Sequence, residues 1–236
     1  MKLSVVVPAY NEEKLLAATL ARIGLAAQAV TAAGGSWELI VCDNNSTDRT
    51  SDIARAAGAR VVFEPVNQIS RARNAGARAA TGDWLLFIDA DCLPSTALFG
   101  DLVHEIQKGR CIAGGATVRL EDAPRAARFA VALWNALSRS ARWAAGSFFF
   151  CEARAFREAG GFSEALYAAE EIELSRRLKR RGRMVILHRH PLATSGRKAE
   201  LYTLREHIAF LLRLVFTLGR TLRRREGASI WYDGRR

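Results

Sequence analysis

The run Trp84-Leu85-Leu86-Phe87-Ile88 is apolar enough for a buried strand, and it ends abruptly in Asp89-Ala90-Asp91. Two carboxylates at the mouth of a core strand repel one another and lose hydration, so a cation or hydrogen-bond donors must compensate them. A divalent metal meets that need, and the hard oxygens of an Asp-x-Asp pair suit Mg²⁺ or Mn²⁺ rather than zinc. In an open α/β sheet such a pair faces the crevice at the carboxyl ends of the strands, where ligands gather. Two more polar loops follow apolar runs and could converge there, Pro8-Ala9-Tyr10-Asn11-Glu12 and Asp43-Asn44-Asn45-Ser46. A tyrosine offers a stacking face, and a carboxylate can accept from a base N–H or a ribose hydroxyl. Taken singly, each loop is also ordinary turn and cap chemistry. Far downstream, Glu170 and Glu171 open a strongly helical stretch. Neighbours on a helix point about 100° apart, so at most one of the two is expected to face a site. Two solvated acids in a first helical turn, favoured by the helix dipole, are the plain alternative.

These groups need a frame, and the chain supplies one in order. Residues 3–7 form an apolar run that Pro8 stops, and an Ala- and Leu-rich helical pattern opens at Asn11-Glu12-Glu13 and fades at Gly34-Gly35. A strand over 37–42 leads into Asp43 to Asp48, turn and N-cap chemistry for a helix ending near Gly58. Then come a strand over 60–63, a short helix over 70–80, the Asp-x-Asp strand, a helix over 94–108 and a strand over 111–118. Strands alternating with helices on this spacing predict an α/β fold, a mostly parallel sheet flanked by helices with right-handed crossovers. Over 123–150 the rhythm loosens into a helical stretch with Trp134, Trp143 and the cluster Phe148 to Phe150. Those aromatic residues either shape a pocket for an acceptor or pack the core. Helices over 152–159 and 168–181 and a late strand over 184–187 complete a second half expected to cover the sheet's working edge.

Beyond residue 200, Leu201, Leu204, Ile208, Leu211, Val215, Leu218 and Leu222 recur at three- and four-residue steps, the pattern of an amphipathic helix, and Arg223-Arg224-Arg225 follows. Arg205, Glu206, His207 and Arg213 interrupt the stripe, which makes it a poor membrane span. The 236 residues are 50% hydrophobic and 25% charged, an ordinary globular composition that excludes disordered and low-complexity classes. A net charge of +11 favours anionic partners: nucleotide phosphates, nucleic acid or an acidic membrane surface. Cys42, Cys92, Cys111 and Cys151 show neither zinc nor disulfide spacing, and the apolar start is too short for a signal peptide. A cytoplasmic protein with reduced thiols is expected.

Taken together and in order, these motifs resemble family 2 glycosyltransferases of the GT-A fold, a Rossmann-like sheet with an acceptor-side region. Val7-Pro8-Ala9-Tyr10-Asn11-Glu12-Glu13 resembles the family's opening, and Asp43-Asn44-Asn45-Ser46-Thr47-Asp48 resembles its Asp-Asp-Gly-Ser-Thr-Asp element. Ala72-Arg73-Asn74-Ala75-Gly76 and Asp89-Ala90-Asp91 follow, then Gly160-Gly161-Phe162-Ser163-Glu164, and last Glu170-Glu171-Ile172-Glu173-Leu174 with Arg177 and Gly182. The resemblance implies a nucleotide-sugar-binding half over 1–118, an acceptor-side half over 119–199 and a helical basic tail over 200–236. It implies that Pro8, Tyr10, Glu12 and Asn45 line the nucleotide pocket, that Asp43 reads the base, and that Arg71 or Arg73 approaches the donor. Asp89 would meet the ribose or the metal, Asp91 the Mn²⁺ or Mg²⁺ itself, and Glu171 would be the catalytic base, with Glu170 as the alternative. Asn44 and Asn45 replace the usual Asp-Gly, and Glu171 stands where the family usually has Asp. Some related enzymes take a histidine metal ligand near His188 and His190, for which surface positions are expected here. Thr194-Ser195-Gly196-Arg197 instead resembles a variant in which Arg197 contacts the diphosphate.

The expected reaction is transfer of a sugar, with inversion, from a UDP- or GDP-sugar to a hydroxyl acceptor, which a lipid could carry. The tail would then attach peripherally to the anionic inner face of a membrane. A nucleotidyltransferase would share the sheet and carboxylates but should carry a Gly-rich basic loop after the first strand. Here that loop is acidic and lacks glycine. A non-catalytic basic module for nucleic acid or membranes would bind with steep salt dependence and no need of the carboxylates. The resemblance argues against nucleic acid as a partner.

Overall fold

The computed structural model describes residues 1–121 and 124–195, so Arg197 and the expected tail helix lie outside the described residues. Its first half is a regular alternation: β1 (Lys2–Ala9), α1 (Leu16–Ala32), β2 (Ser36–Asp43), α2 (Thr50–Ala56), β3 (Arg60–Phe63), α3 (Ile69–Ala79) and β4 (Trp84–Ile88). Then follow β5 (Cys92–Leu93), α4 (Thr96–Gln107), β6 (Ala113–Glu121), α5 (Arg125–Ala141), β7 (Phe148–Glu152), α6 (Ala153–Glu158), α7 (Glu170–Lys179) and β8 (Met184–Ser195). The strands form one sheet in the order β3-β2-β1-β4-β7-β6-β8-β5. Pairing among β3, β2, β1 and β4 is parallel, and β7 runs antiparallel between β4 and β6. The chain leaves β1 toward β2 on one side and returns through α3 to β4 on the other. The carboxyl ends of β1 and β4 therefore flank the point where the strand order reverses, where an open α/β sheet binds ligands.

Because successive strand residues face opposite sides, each central strand feeds two cores. Val5, Val7, Leu86 and Ile88 pack in the larger cluster with residues of α1 and α4. Val6, Leu85 and Phe87 pack on the opposite face with Phe149, Phe156, Phe162, Leu174 and Leu178. Gly76 lets α3 lie close on that second face, since a Cβ there would come within 2.4 Å of Val6 Cγ1. Among the described residues no helix is long and apolar enough to cross a membrane.

Three features depart from the sequence expectation. Strand β1 continues through Pro8 instead of stopping there, because pairing with β4 ends at Val6 and the strand is bonded on one side only at the proline. Phe148 to Phe150 lie in β7, fully buried between β4 and β6, so these three rings are core and not an acceptor pocket. A short strand buried on both faces shows no alternation, which hides it from pattern reading. Strand β8 extends to Ser195 where 184–187 was expected, with a register shift against β6: Ala116 pairs with Leu187, but Val118 pairs with Leu192. The extra residues include exposed His188, Arg189 and His190, and such a bulge accommodates Pro191.

Candidate active site

Each loop at the carboxyl edge is locked to its neighbour. Asn11, in a left-handed conformation (φ 52°), accepts from the Thr47 backbone N–H with its side-chain oxygen at 2.8 Å. Its own N–H donates to Ser46 Oγ, and the Glu12 N–H donates to Thr50 Oγ1 at 2.8 Å. Asn tolerates the left-handed region better than most residues, which suits the turn. Asp43 is buried and engaged by its own loop, accepting from the Ser46 N–H at 2.9 Å and from Ser51 Oγ at 2.6 Å. Asn44 ties this loop to the next, donating to the Glu64 and Val66 carbonyls and accepting from the Gln68 N–H. Pro8 is buried, Tyr10 partly buried and Glu12 buried at the rim of the same crevice, whereas Asn45 is exposed with φ 67°. The residues of these two loops are thus brought together at one edge of the sheet, with Asn45 at the outer turn.

The Asp-x-Asp turn closes through the Cys92 N–H to the Asp89 carbonyl and is braced by Thr19 of α1, whose hydroxyl donates to the Ala90 carbonyl at 2.8 Å. Cys92 Sγ lies 3.6 Å from Asp91 Oδ1, and β5 pairs Cys92 with Thr194, so β8 ends beside Asp91. Among the described residues no group of three or more His, Cys, Asp or Glu side chains could hold a metal ion. Two aspartates still fit Mg²⁺ or Mn²⁺, which bind through one or two carboxylates with substrate phosphates and waters completing the shell.

Helix α3 connects this turn to the second half. Arg73, only 2% exposed, donates from Nη2 to Asp89 Oδ1 at 2.9 Å and from Nη1 to Glu170 Oε1 at 2.7 Å. Its guanidinium also lies over the Phe162 ring, 5.3 Å from the centroid. Gly146 makes the room, since a Cβ there would come within 2.6 Å of Nη2. Burial opposes the charge on Arg73, but Asp89 and then Glu170 more than restore it, so its pKa is raised. Of the two candidate arginines, Arg73 is the one at Asp89. Arg71 instead pairs with Glu64 at 3.3 Å and with Glu164 at 2.9 Å.

Helix α7 opens at Ala169, which sits in the left-handed region (φ 59°), a conformation that costs a residue with a Cβ about 1–2 kcal/mol. Glu170 and Glu171 follow, close enough that the Glu170 charge acts on the Glu171 carboxyl group. Glu170 contacts Arg73 directly, and Glu171 stands near enough for the charges of Glu170, Arg73 and Asp89 to act on it, although neighbours on a helix point about 100° apart. Burial raises the Glu170 pKa although Arg73 opposes it. Burial and then the Glu170 charge push Glu171 up to about 8. Glu170 is the carboxyl group held by Arg73, and burial raises the pKa of both neighbours.

Gln68, Asn74 and Glu164 received no role from the sequence. Gln68 Nε2 donates to the carbonyls of Glu164 and Leu166, and Asn74 clasps Phe162 by accepting from its N–H and donating to its carbonyl, both at 2.9 Å. These contacts hold residues 162–166 against α3. The available signal was the cluster Gln68, Arg71, Arg73 and Asn74 on one short helix and its N-cap, since a helix lying on a sheet must bury part of such a cluster. His188 and His190 do not join the site: His188 Nδ1 contacts the Ile186 carbonyl, and His190 Nδ1 pairs with Asp101 at 3.0 Å.

The model of the family described as glycosyl transferase family 2 matches residues 4–159. An uncharacterised glycosyltransferase of Mycobacterium tuberculosis is 38% identical over 112 residues, 48% of this chain and 47% of that protein. The chain spans about half the length of the curated relatives it matches. Among solved structures, a mannosyltransferase from Pyrobaculum calidifontis in complex with GDP-Man and Mn²⁺ superposes with TM-score 0.68 at 19% identity, covering 93% of this chain and 62% of that one. Staphylococcus aureus TarS in complex with UDP-GlcNAc gives TM-score 0.66 at 18% identity, covering 99% and 71%. At these identities the structural likeness establishes the fold.

Proposed function

The chain belongs to glycosyl transferase family 2, and from that premise we propose that it is a divalent-metal-dependent, inverting glycosyltransferase acting on a nucleoside diphosphate sugar and a hydroxyl acceptor. The observation that carries the reading is the Arg73 bridge, which ties Asp89 at the end of β4 to Glu170 at the start of α7. Asp91, with Asp89, would hold Mg²⁺ or Mn²⁺, which when bound supplies charge neutralisation for the departing diphosphate. Pro8, Tyr10, Glu12 and Asp43 line the nucleotide side, with Asn45 at its outer turn, and the sequence resemblance adds Arg197 as a contact for the diphosphate. Glu171 takes the proton of the acceptor hydroxyl as that oxygen attacks the anomeric carbon from the face opposite the leaving group. A carboxylate with a pKa near 8 is a stronger base than an ordinary one, and burial first, then the neighbouring Glu170, makes it so. Arg73 opposes the burial-driven rise of the Glu170 pKa while orienting Asp89.

The two solved neighbours hold a GDP-linked and a UDP-linked sugar, which directs the donor screen to both bases. Turnover is measured across UDP- and GDP-sugars with and without Mn²⁺, for the parent protein and for Glu171→Gln. Metal-stimulated turnover that the substitution abolishes supports the reading, and metal-independent turnover that survives it ends it. A lipid-linked acceptor would be met at a bilayer, and the apolar stripe over 201–222 with Arg223-Arg224-Arg225 supports peripheral attachment to an anionic surface inside the cell.

A further inference from the structure

Helix α5 is held by one face and presents the wrong kind of residue on the other. Its inner face is pinned to β6 by Asn135, which donates to the Val118 carbonyl at 2.9 Å and accepts from the Val118 N–H at 3.0 Å. Trp134 and Val131 pack against the core from that side. On the outer face, Phe129, Leu133 and Leu137 are 72%, 64% and 47% exposed. Scattered exposed apolar residues need no explanation, but these three stand at i, i+4 and i+8, one above another on a single stripe. Exposed Ala126 and Ala136 widen it, and no acidic residue occurs from 124 to 151.

A second observation adjoins the first. At the C-terminal end of α5 a cleft of about 340 Å³ is lined by Arg139, Arg142, Arg183 and Arg189. Their guanidinium groups form no hydrogen bond or ion pair with the described residues. The acids in the cleft are already engaged, Asp101 by His190 at 3.0 Å and Glu105 by Lys108 at 2.6 Å. Arg139 belongs to α5 and to the cleft but stands about 120° around the helix from the stripe, so the cationic cleft flanks the apolar stripe at the helix's C-terminal end. An apolar helix face flanked by arginines is the composition of an interfacial helix, with side chains that enter the acyl boundary and guanidinium groups that meet phosphates. An anionic bilayer supplies both chemistries in one plane. A second copy of this chain, itself at +11, would set like charges against the cleft.

We propose that the outer face of α5 and the adjoining arginine cleft form a membrane-docking surface for anionic phospholipid, separate from the basic tail. The surface goes beyond the catalytic reading and needs none of the site residues. The test is co-sedimentation of the full chain with vesicles of phosphatidylcholine alone or mixed with phosphatidylglycerol, at low and physiological salt. Three variants are compared with the parent: Phe129→Ser with Leu133→Ser, Arg139→Gln with Arg183→Gln, and Arg223→Gln with Arg224→Gln and Arg225→Gln. All these α5 and cleft side chains are exposed, so thermal melts should match the parent, and donor turnover without vesicles should be unchanged. The parent is expected to partition at least tenfold more onto anionic vesicles, the serine variant to lose at least tenfold, and the first glutamine variant to lose most of its salt sensitivity. Failure of the parent to sediment with anionic vesicles overturns the proposal. So does a loss confined to the tail variant. A dimer in gel filtration that the serine variant dissociates, with vesicle binding unaltered, overturns it too and assigns the face to self-association.

Discussion

The loops after β1 and β2 are knitted together largely by neutral groups, Asn11 to Thr47 and Ser46, Thr50 to Glu12, Asn44 to three backbone atoms of the next loop, with Asp48 and Glu13 carboxylates accepting from backbone at the exposed rim. At the start of α7 the construction is ionic, with one buried arginine between two carboxylates and a third carboxyl group beside them. A neutral hydrogen bond contributes about 1 kcal/mol net, and a buried member left without its partner costs about 1–3 kcal/mol. Stripping a buried charge of its partner costs more, about 3–5 kcal/mol. The first region is therefore a preformed cradle whose parts fail gently, and the second is a set of coupled charges whose parts fail together.

The sharpest way to break that contrast is Arg73→Ala, expected to cost about 3–5 kcal/mol in urea denaturation because Asp89 and Glu170 are left facing each other uncompensated. Equal losses for Arg73→Ala and Asn11→Ala would erase the distinction.

Next in size is Glu171→Gln, expected to lower turnover at least about a hundredfold while donor affinity changes little, since a general base acts in the transition state. In the parent, kcat/KM should rise with pH through about 8, where Glu171 gives up its proton. A dead Glu170→Gln beside an active Glu171→Gln would reverse the roles of the two residues. The same group predicts a stability trend. Its folded pKa lies above the unfolded one, so between the ordinary carboxylate range and about pH 8 the folded state binds the extra proton, and stability falls as pH rises through that window. Glu171→Gln should flatten the trend, with a melting temperature that gains more at pH 8 than at pH 5.

Asp91→Asn comes third. Mn²⁺-dependent nucleotide binding measured by calorimetry should weaken at least about tenfold with the fold intact, because the carboxylate serves a cation and not the core. Unchanged binding would remove Asp91 from the metal site.

The smallest effects belong to the cradle. Asn11→Ala gives up the bonds accepted from Thr47 and should cost about 1–2 kcal/mol, read from the urea midpoint. Ala169→Gly should change stability by no more than about 1 kcal/mol, since relief of the left-handed strain offsets the added chain entropy.

Most of the first half was legible because its signals are local. Apolar runs of strand length, Gly and Asn at the turns and Asp-x-Asp at a strand end each follow from a few adjacent residues, and the parallel sheet follows from their alternation. Strand β7 was not, because Phe148-Phe149-Phe150-Cys151 is buried on both faces and carries no period. The far end of β8 was hidden by the bulge at His188 to Pro191. At the site, the sequence by itself determined which residues could do chemistry: Asp89, Asp91, Glu170, Glu171, Arg71 and Arg73. Which arginine meets Asp89, and which glutamate meets that arginine, was decided only in three dimensions. Arg73 and Glu170 are 97 residues apart, and their contact exists because α3 and the start of α7 are laid on the same sheet face. Burial then sets the chemistry, since a pKa is a property of surroundings that no single stretch of chain contains.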